Sequence, residues 1–115
     1  MKPQVQFRLR IHRGEVIAIG PGKVSLLEAI DRTGSISAAG RELGMSYRRA
    51  WLLIDEINQS LKEPAVTTSA GGAHGGGTAL TPVGQALIQH YRAAEATALK
   101  AATKELERLT RLLAP

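Results

Sequence analysis

From Gln4 to His12 the chain alternates without a break. Val5, Phe7, Leu9 and Ile11 are apolar, and Gln6, Arg8, Arg10 and His12 between them are polar. A period of two predicts a half-buried strand with its apolar residues on one face. Arg13-Gly14 reads as a turn, and Glu15 to Ile19 as the return strand of a hairpin. Gly20-Pro21-Gly22 ends the alternation and leads into a helix over Lys23 to Arg32, with Val24, Leu27 and Ile30 on one face and Gly34 closing it. Ser35 or Ser37 caps a short second helix running to Leu43. Gly44 breaks that helix, and Ser46 caps a third that continues to about Leu61. Pro64 bars further helix. Val66-Thr67-Thr68 and Thr78-Ala79-Leu80 are β-prone runs on either side of a glycine-rich stretch, which predicts a second hairpin. Thr81 as N-cap and Pro82 at the first helical position then open a long helix. Beyond Tyr91 that helix carries Leu99, Ala102, Leu106, Leu109 and Leu113 at spacings of three, four, three and four. This is an a/d stripe too short for a free-standing coiled coil.

A length of 115 residues suits one domain, and 43% apolar with 22% charged residues are globular values. One Trp, two Tyr and one Phe leave the core to Leu, Ile, Val and Ala. The lack of cysteine excludes disulfides, thiolate metal sites and a cysteine nucleophile. No apolar run approaches a membrane span and the N-terminus lacks a signal-peptide core, so a cytoplasmic protein without a membrane partner is expected. Net charge is +5, of which Lys2, Arg8, Arg10 and Arg13 supply +4 within the first thirteen residues. That balance favours a polyanion as partner.

Residues Ile36 to Asp55 place two short helices around a glycine turn. Helices that cross steeply need a small residue where their backbones meet, and Gly40 stands there beside Ala39; the tight turn needs positive φ, and Gly44 supplies it. Ala39, Leu43, Met45, Ala50 and Leu53 are then the expected buried positions, and all five are apolar. Such a helix-turn-helix puts the first turn of its second helix into the DNA major groove. Here that turn is Ser46-Tyr47-Arg48-Arg49, with Ser37 of the preceding helix nearby. Arginine pairs with two acceptors of guanine at once, and a tyrosine offers a hydroxyl to phosphate and a ring to a thymine methyl. Trp51 is expected to pack into the core, and Asn58 and Gln59 lie too far along the helix to read bases.

The stretch from Ser69 to Pro82 holds five glycines and no charged residue. A phosphate-binding P-loop needs a lysine at fixed spacing; Gly77 is followed by Thr78, and residues 63–99 contain no lysine. A dinucleotide fingerprint needs a βαβ unit, which the pattern lacks. A glycine loop between two short strands after a recognition helix is instead the wing of a winged helix, which touches phosphate through backbone N–H groups. The fold class expected is mostly α with small β hairpins: a winged helix-turn-helix with an N-terminal strand or hairpin and a long C-terminal helix.

The run SISAAGRELGMSYRRAWLLIDEINQ followed by GGAHGGGTALTPVGQALIQHY resembles the N-terminal domain of the ModE-type molybdate-responsive transcriptional regulators over residues 22–92. The likeness lies in the SIS helix start, the SY turn, the AW pair and the glycine-rich wing with its LT-x-x-GQ-x-LIQ-x-Y continuation. It implies a homodimer on a palindromic operator, acting as a repressor. DNA contacts then fall at Ser37, Ser46, Tyr47, Arg48 and Arg49, and in the wing at Gly72, His74, Gly75, Gly76 and Thr78. Dimer contacts fall on the N-terminal strand (Val5, Phe7, Leu9) and on the helix after the wing (Leu87, Tyr91), extended by the stripe Leu99, Leu106 and Leu109. The family continues into a molybdate-binding region for which this sequence has no counterpart, so direct molybdate binding is not expected.

One domain over 1–115 is expected: N-terminal hairpin 1–20, three-helix core 22–61, wing 64–81 and dimerisation helix 82–113. His12, His74 and His90 are scattered with no metal-ligand spacing, and no serine sits in a nucleophile elbow. No metal, cofactor or catalytic residue is expected, and the chain is not read as an enzyme. Two other readings compete with a DNA-binding regulator. One is a short module that heterodimerises with and antagonises a full-length regulator. The other, a nucleotide- or anion-binding enzyme, is weakened by the missing lysine. In the DNA-binding reading the expected partners are double-stranded DNA and a second copy of the chain.

Overall fold

Gly14 takes a left-handed conformation (φ +64°) and folds β1 (Ile11–Arg13) back on β2 (Val16–Ile19) as an antiparallel pair. The computed structural model describes residues 2–69 and 77–115. The expected strand from Gln4 is paired only from Ile11 onward. The reason lies opposite it: β2 is four residues long, Ile11 already faces its last residue Ile19, and the chain then turns into a helix. Val5 and Phe7 therefore stay exposed and only Leu9 is half-buried.

That helix, α1 (Pro21–Thr33), begins two residues earlier than the periodicity suggests, because Pro21 fits the first turn, where an N–H has no helical partner. Gly34 ends it in the left-handed region (φ +67°), its N–H reaching the Ile30 carbonyl at 2.7 Å. Ser35, rather than Ser37, caps α2 (Ile36–Glu42) by accepting the Ala38 N–H. Gly44 at φ +70° turns the chain into α3 (Tyr47–Ser60), and the Ser46 hydroxyl caps it by accepting the Arg49 N–H at 3.0 Å. Where α2 and α3 meet, a Cβ on Gly40 would stand 3.4 Å from the Ala50 Cβ and from the Met45 carbonyl oxygen. A Cβ would just touch both neighbours, and a larger side chain would have to push them apart. Ala39, Ala50 and Leu53 are buried as expected and Met45 partly so, but Leu43 is 37% exposed. It is the C-cap residue of α2, already on the turn and off the buried face.

The core is aliphatic: Leu26, Leu27 and Ile30 of α1 and Ile54 and Ile57 of α3 pack with Ile36, Ala39 and Ala50. β3 (Val66–Thr68) and β4 (Thr78–Leu80) pair antiparallel and complete a winged helix-turn-helix. Asn58 anchors this hairpin: its Oδ1 accepts the N–H groups of Ala65 and Val66, and its Nδ2 donates to the Val66 carbonyl. The Thr78 N–H also reaches the Gly34 carbonyl at 3.2 Å, tying the wing to the end of α1. Thr81 then caps α4 (Pro82–Ala101), accepting from the Gly84 N–H and donating to the Pro64 carbonyl. The long helix expected to Leu113 is instead two. Thr103 turns its hydroxyl onto the Lys100 carbonyl at 2.8 Å, a side-chain bond that competes with the backbone ladder. The chain resumes as α5 (Thr103–Thr110). Past Tyr91 most of these two helices is exposed, and the molecule measures 58 × 31 × 24 Å, with a radius of gyration of 17.0 Å. A compact chain of this length would have about 13 Å.

Candidate nucleic-acid interface

Burial on α3 follows one stripe, Ala50, Leu53, Ile54 and Ile57. At about 100° per residue, the side turned furthest from that stripe carries Arg48, Leu52 and Asp55. Tyr47 and Trp51 lie on one flank, and Arg49 lies on the other. Ser46, Tyr47, Arg48 and Arg49 are all exposed, and Arg48 and Arg49 enter no ion pair among the described residues. A shallow concavity is lined by Ser46, Arg48, Arg49, Trp51, Leu52 and Asp55. A helix N-terminus with free N–H groups, two cations and uncommitted donors suits a polyanion whose edges present acceptors.

Trp51 corrects the expectation of core packing. It is 38% exposed, and its ring stands edge-on to Tyr47 with centroids 6.2 Å apart. One step along a helix turns a side chain by about 100°, so Trp51 leaves the core that its neighbour Ala50 enters. The aromatic pair forms one wall of a second groove whose other sides are Ser37 of α2 and the wing root, Thr68, Ser69, Gly77 and Thr78. Ser37, Tyr47 and Thr78 are thus brought together as the sequence suggests. Leu52, Asp55, Thr68 and Ser69 carry no sequence signal of their own, because their exposure depends on which distant neighbours cover them. Gly72, His74, Gly75 and Gly76 lie outside the described residues.

The frame behind this surface is polar as well as apolar. Arg92 of α4 grips Glu28 of α1 with two nitrogens, Nη2 to Oε1 at 2.5 Å and Nε to Oε2 at 3.0 Å, and holds Glu95 at 2.7 Å. Those hydrogen bonds hold the Glu28 carboxyl below the usual carboxylate range despite partial desolvation, with the Arg92 and Arg32 charges adding to the effect. They also push the Arg92 guanidinium above its ordinary value. Gln85 donates to Asp31 at 2.8 Å, a second tie between α1 and α4. Among the dimer residues expected on α4, Leu87 is half-buried and Tyr91 is buried within its own chain, its phenol raised first by desolvation and then by Glu95. Leu99 and Leu109 are exposed and Leu106 half-buried. Among the described residues no group of three His, Asp or Glu side chains gathers where a metal could sit, and no helix is long and apolar enough to cross a membrane.

The chain is 51% identical over 82 residues to the molybdenum-pterin-binding protein MopB of Rhodobacter capsulatus, covering 71% of this chain and 30% of that protein. It is 42% identical over 92 residues to the molybdenum transport protein ModE of Azotobacter vinelandii (80% and 34% covered). It is 39% identical over 88 residues to the DNA-binding transcriptional dual regulator ModE of Escherichia coli K12 (76% and 34% covered). The chain spans about a third of the length of these curated relatives. Its residues 22–85, from α1 through the first turn of α4, match the bacterial regulatory helix-turn-helix proteins of the lysR family. With the recognition turn, the wing strands and that match in hand, the chain belongs to this family of DNA-binding transcriptional regulators.

Proposed function

We propose that the chain is a sequence-specific regulator that binds a palindromic operator as a homodimer in the cytoplasm and represses transcription. In this reading α3 enters the major groove, with Ser46, Tyr47, Arg48 and Arg49 meeting bases and phosphates. Ser37, Thr78 and the wing glycines meet the backbone. Residues 1–115 act as one DNA-binding unit, and 82–113 serve dimerisation. The observation that carries the reading is that Arg48 and Arg49, on the first turn of a capped recognition helix, are exposed and enter no ion pair among the described residues. A module acting only as an antagonist of a longer regulator would have no use for those two free cations.

Selection of bound duplexes from a random pool tests it. The expected product is an inverted repeat with half-site centres one helical turn apart, about 34–36 Å. Replacing Arg48 and Arg49 by alanine should weaken binding to that repeat by about 1–3 kcal/mol per base-reading arginine, with the fold retained. Enrichment of no sequence, or equal affinity of wild type and double variant, overturns the reading.

A further inference from the structure

Arg49 does not stand on the wing side of α3. It stands on the opposite flank, where it lines a cleft with Arg8 and Arg10 of the N-terminal segment. Glu15, Lys23 and Glu56 complete the charged lining. Lys23 is occupied: its Nζ lies 3.5 Å from Glu56 and donates to the Ile17 carbonyl. Among the described residues, three arginines then face a single uncommitted carboxylate, Glu15. None of the three arginines makes an ion pair among the described residues, and Arg8 has only a 3.5 Å hydrogen bond to Gln6.

The placement follows from the alternation of the first residues. Leu9 goes into an apolar cleft beside Tyr91 and Leu87, and its carbonyl takes the Tyr91 hydroxyl at 2.8 Å. Arg8 and Arg10, one step to either side, are left exposed beside Arg49. The arginines are held near α3 by a backbone anchor and leave their own side chains uncommitted.

We infer that Arg8, Arg10 and Arg49 form a clamp for a phosphate row of duplex DNA on the flank of α3 opposite the wing. The inference rests on the reading that α3 enters the major groove. A helix with its side chains is about 10–12 Å across, and the groove about 12 Å wide. A helix seated there has a phosphate row against each flank. The wing root faces one row beside Tyr47 and Trp51, and the three arginines face the other. Arg48, between the flanks, reads bases, whereas Arg49 positions.

The test uses the full chain with Arg8→Gln and Arg10→Gln together, which keep the stems and the Leu9 carbonyl anchor. Affinity for a selected duplex and for an unrelated one is measured against salt. The double variant should lose affinity for both duplexes by a similar factor and keep the preferred sequence. Its loss between about 50 and 200 mM salt should shrink about a hundredfold, as four fewer displaced counterions, two per protomer of the dimer, require. Arg49→Gln should act in the same direction with a shrinkage of about tenfold, for two fewer counterions per dimer, and Arg48→Gln should instead relax the sequence preference. If wild type binds and the Arg8/Arg10 variant matches it in affinity and salt dependence, the clamp is wrong and the recognition helix stands. If wild type binds no duplex, both readings fall.

Discussion

The Tyr91 hydroxyl donates to the Leu9 carbonyl oxygen at 2.8 Å, joining α4 to the N-terminal segment across 82 positions of sequence. Tyr91→Phe removes that bond while keeping the ring, at a cost of about 1 kcal/mol. It should also free the segment, so trypsin should cut after Arg8 and Arg10 faster than in wild type. The phenol is raised by desolvation, so the folded state holds its proton more tightly than the unfolded chain does. Its contribution is intact below the usual tyrosine value of about 10 and is lost as pH rises through the raised one. The informative quantity is the difference between wild type and Tyr91→Phe in melting temperature above about pH 9.5. Parallel decline of the two proteins would remove Tyr91 from the alkaline limb.

The Glu28–Arg92 pair works in the opposite direction. Glu28 is held below its usual range, so its contribution is present at neutral pH. It fades as pH falls below about 4 and through the lowered value. Glu28→Gln should lower the melting temperature at neutral pH and flatten its fall in acid. Because Arg92 is 39% exposed in its side chain, the pair is screened, and the loss should be on the order of 1 kcal/mol or less. Identical acid limbs would assign acid sensitivity to other carboxylates.

Gly84 sits inside the first turn of α4, where alanine would ordinarily favour the helix by about 0.5–1 kcal/mol. Here a Cβ would overlap the carbonyl oxygen of Ala65, which itself accepts the Thr81 N–H. Gly84→Ala should therefore destabilise, by about 1–3 kcal/mol, despite the gain in propensity. A rise in melting temperature would show that α4 moves away from the wing root without penalty.

Trp51→Ala separates surface from core. A core tryptophan lost to alanine costs about 3–5 kcal/mol; Trp51, exposed and packed edge-on to Tyr47, should cost well under that. Affinity for the selected duplex should fall all the same, because the groove between α3 and the wing root loses a wall. A large drop in stability with unchanged affinity would return Trp51 to the core.

Local chemistry was the legible part of this fold. Gly34 and Gly44 take positive φ where a helix must end or turn, and the hydroxyls of Ser46 and Thr81 cap the helices that they precede. Those features are decided within four or five residues. What escaped depends on distant partners. Leu43 and Trp51 sit at the margins of buried stripes, where a small rotation exchanges core for solvent. Asn58 holds the wing through Ala65 and Val66, a role visible only once the hairpin folds back. The alternation from Gln4 shows which residues share a face, and not whether the chain contains a strand to pair with them.

That unpaired segment bears on assembly. Val5, Phe7 and Ile11 are exposed, and an apolar cleft runs from Leu9 and Ile19 past Leu61 to Leu87 and Ala94. Leu99, Leu109 and Leu113 extend the apolar surface along α4, α5 and the C-terminus. Exposed apolar surface of this kind mostly marks an interaction site, and a second copy would supply a complementary face of the same kind. A two-fold dimer would cover the N-terminal segment and the protruding helices together and present two recognition helices to successive major grooves. Sedimentation at micromolar concentration should give a dimer. Phe7→Asp with Leu99→Asp should give a monomer with the winged helix intact by circular dichroism. Twice the chain's +5 is +10, so dimer binding should also be steeply salt-dependent, falling by about 10³-fold between 50 and 200 mM salt for roughly six neutralised phosphates. A wild-type monomer that binds an inverted repeat without cooperativity would overturn the dimer and leave each half-site to be read alone.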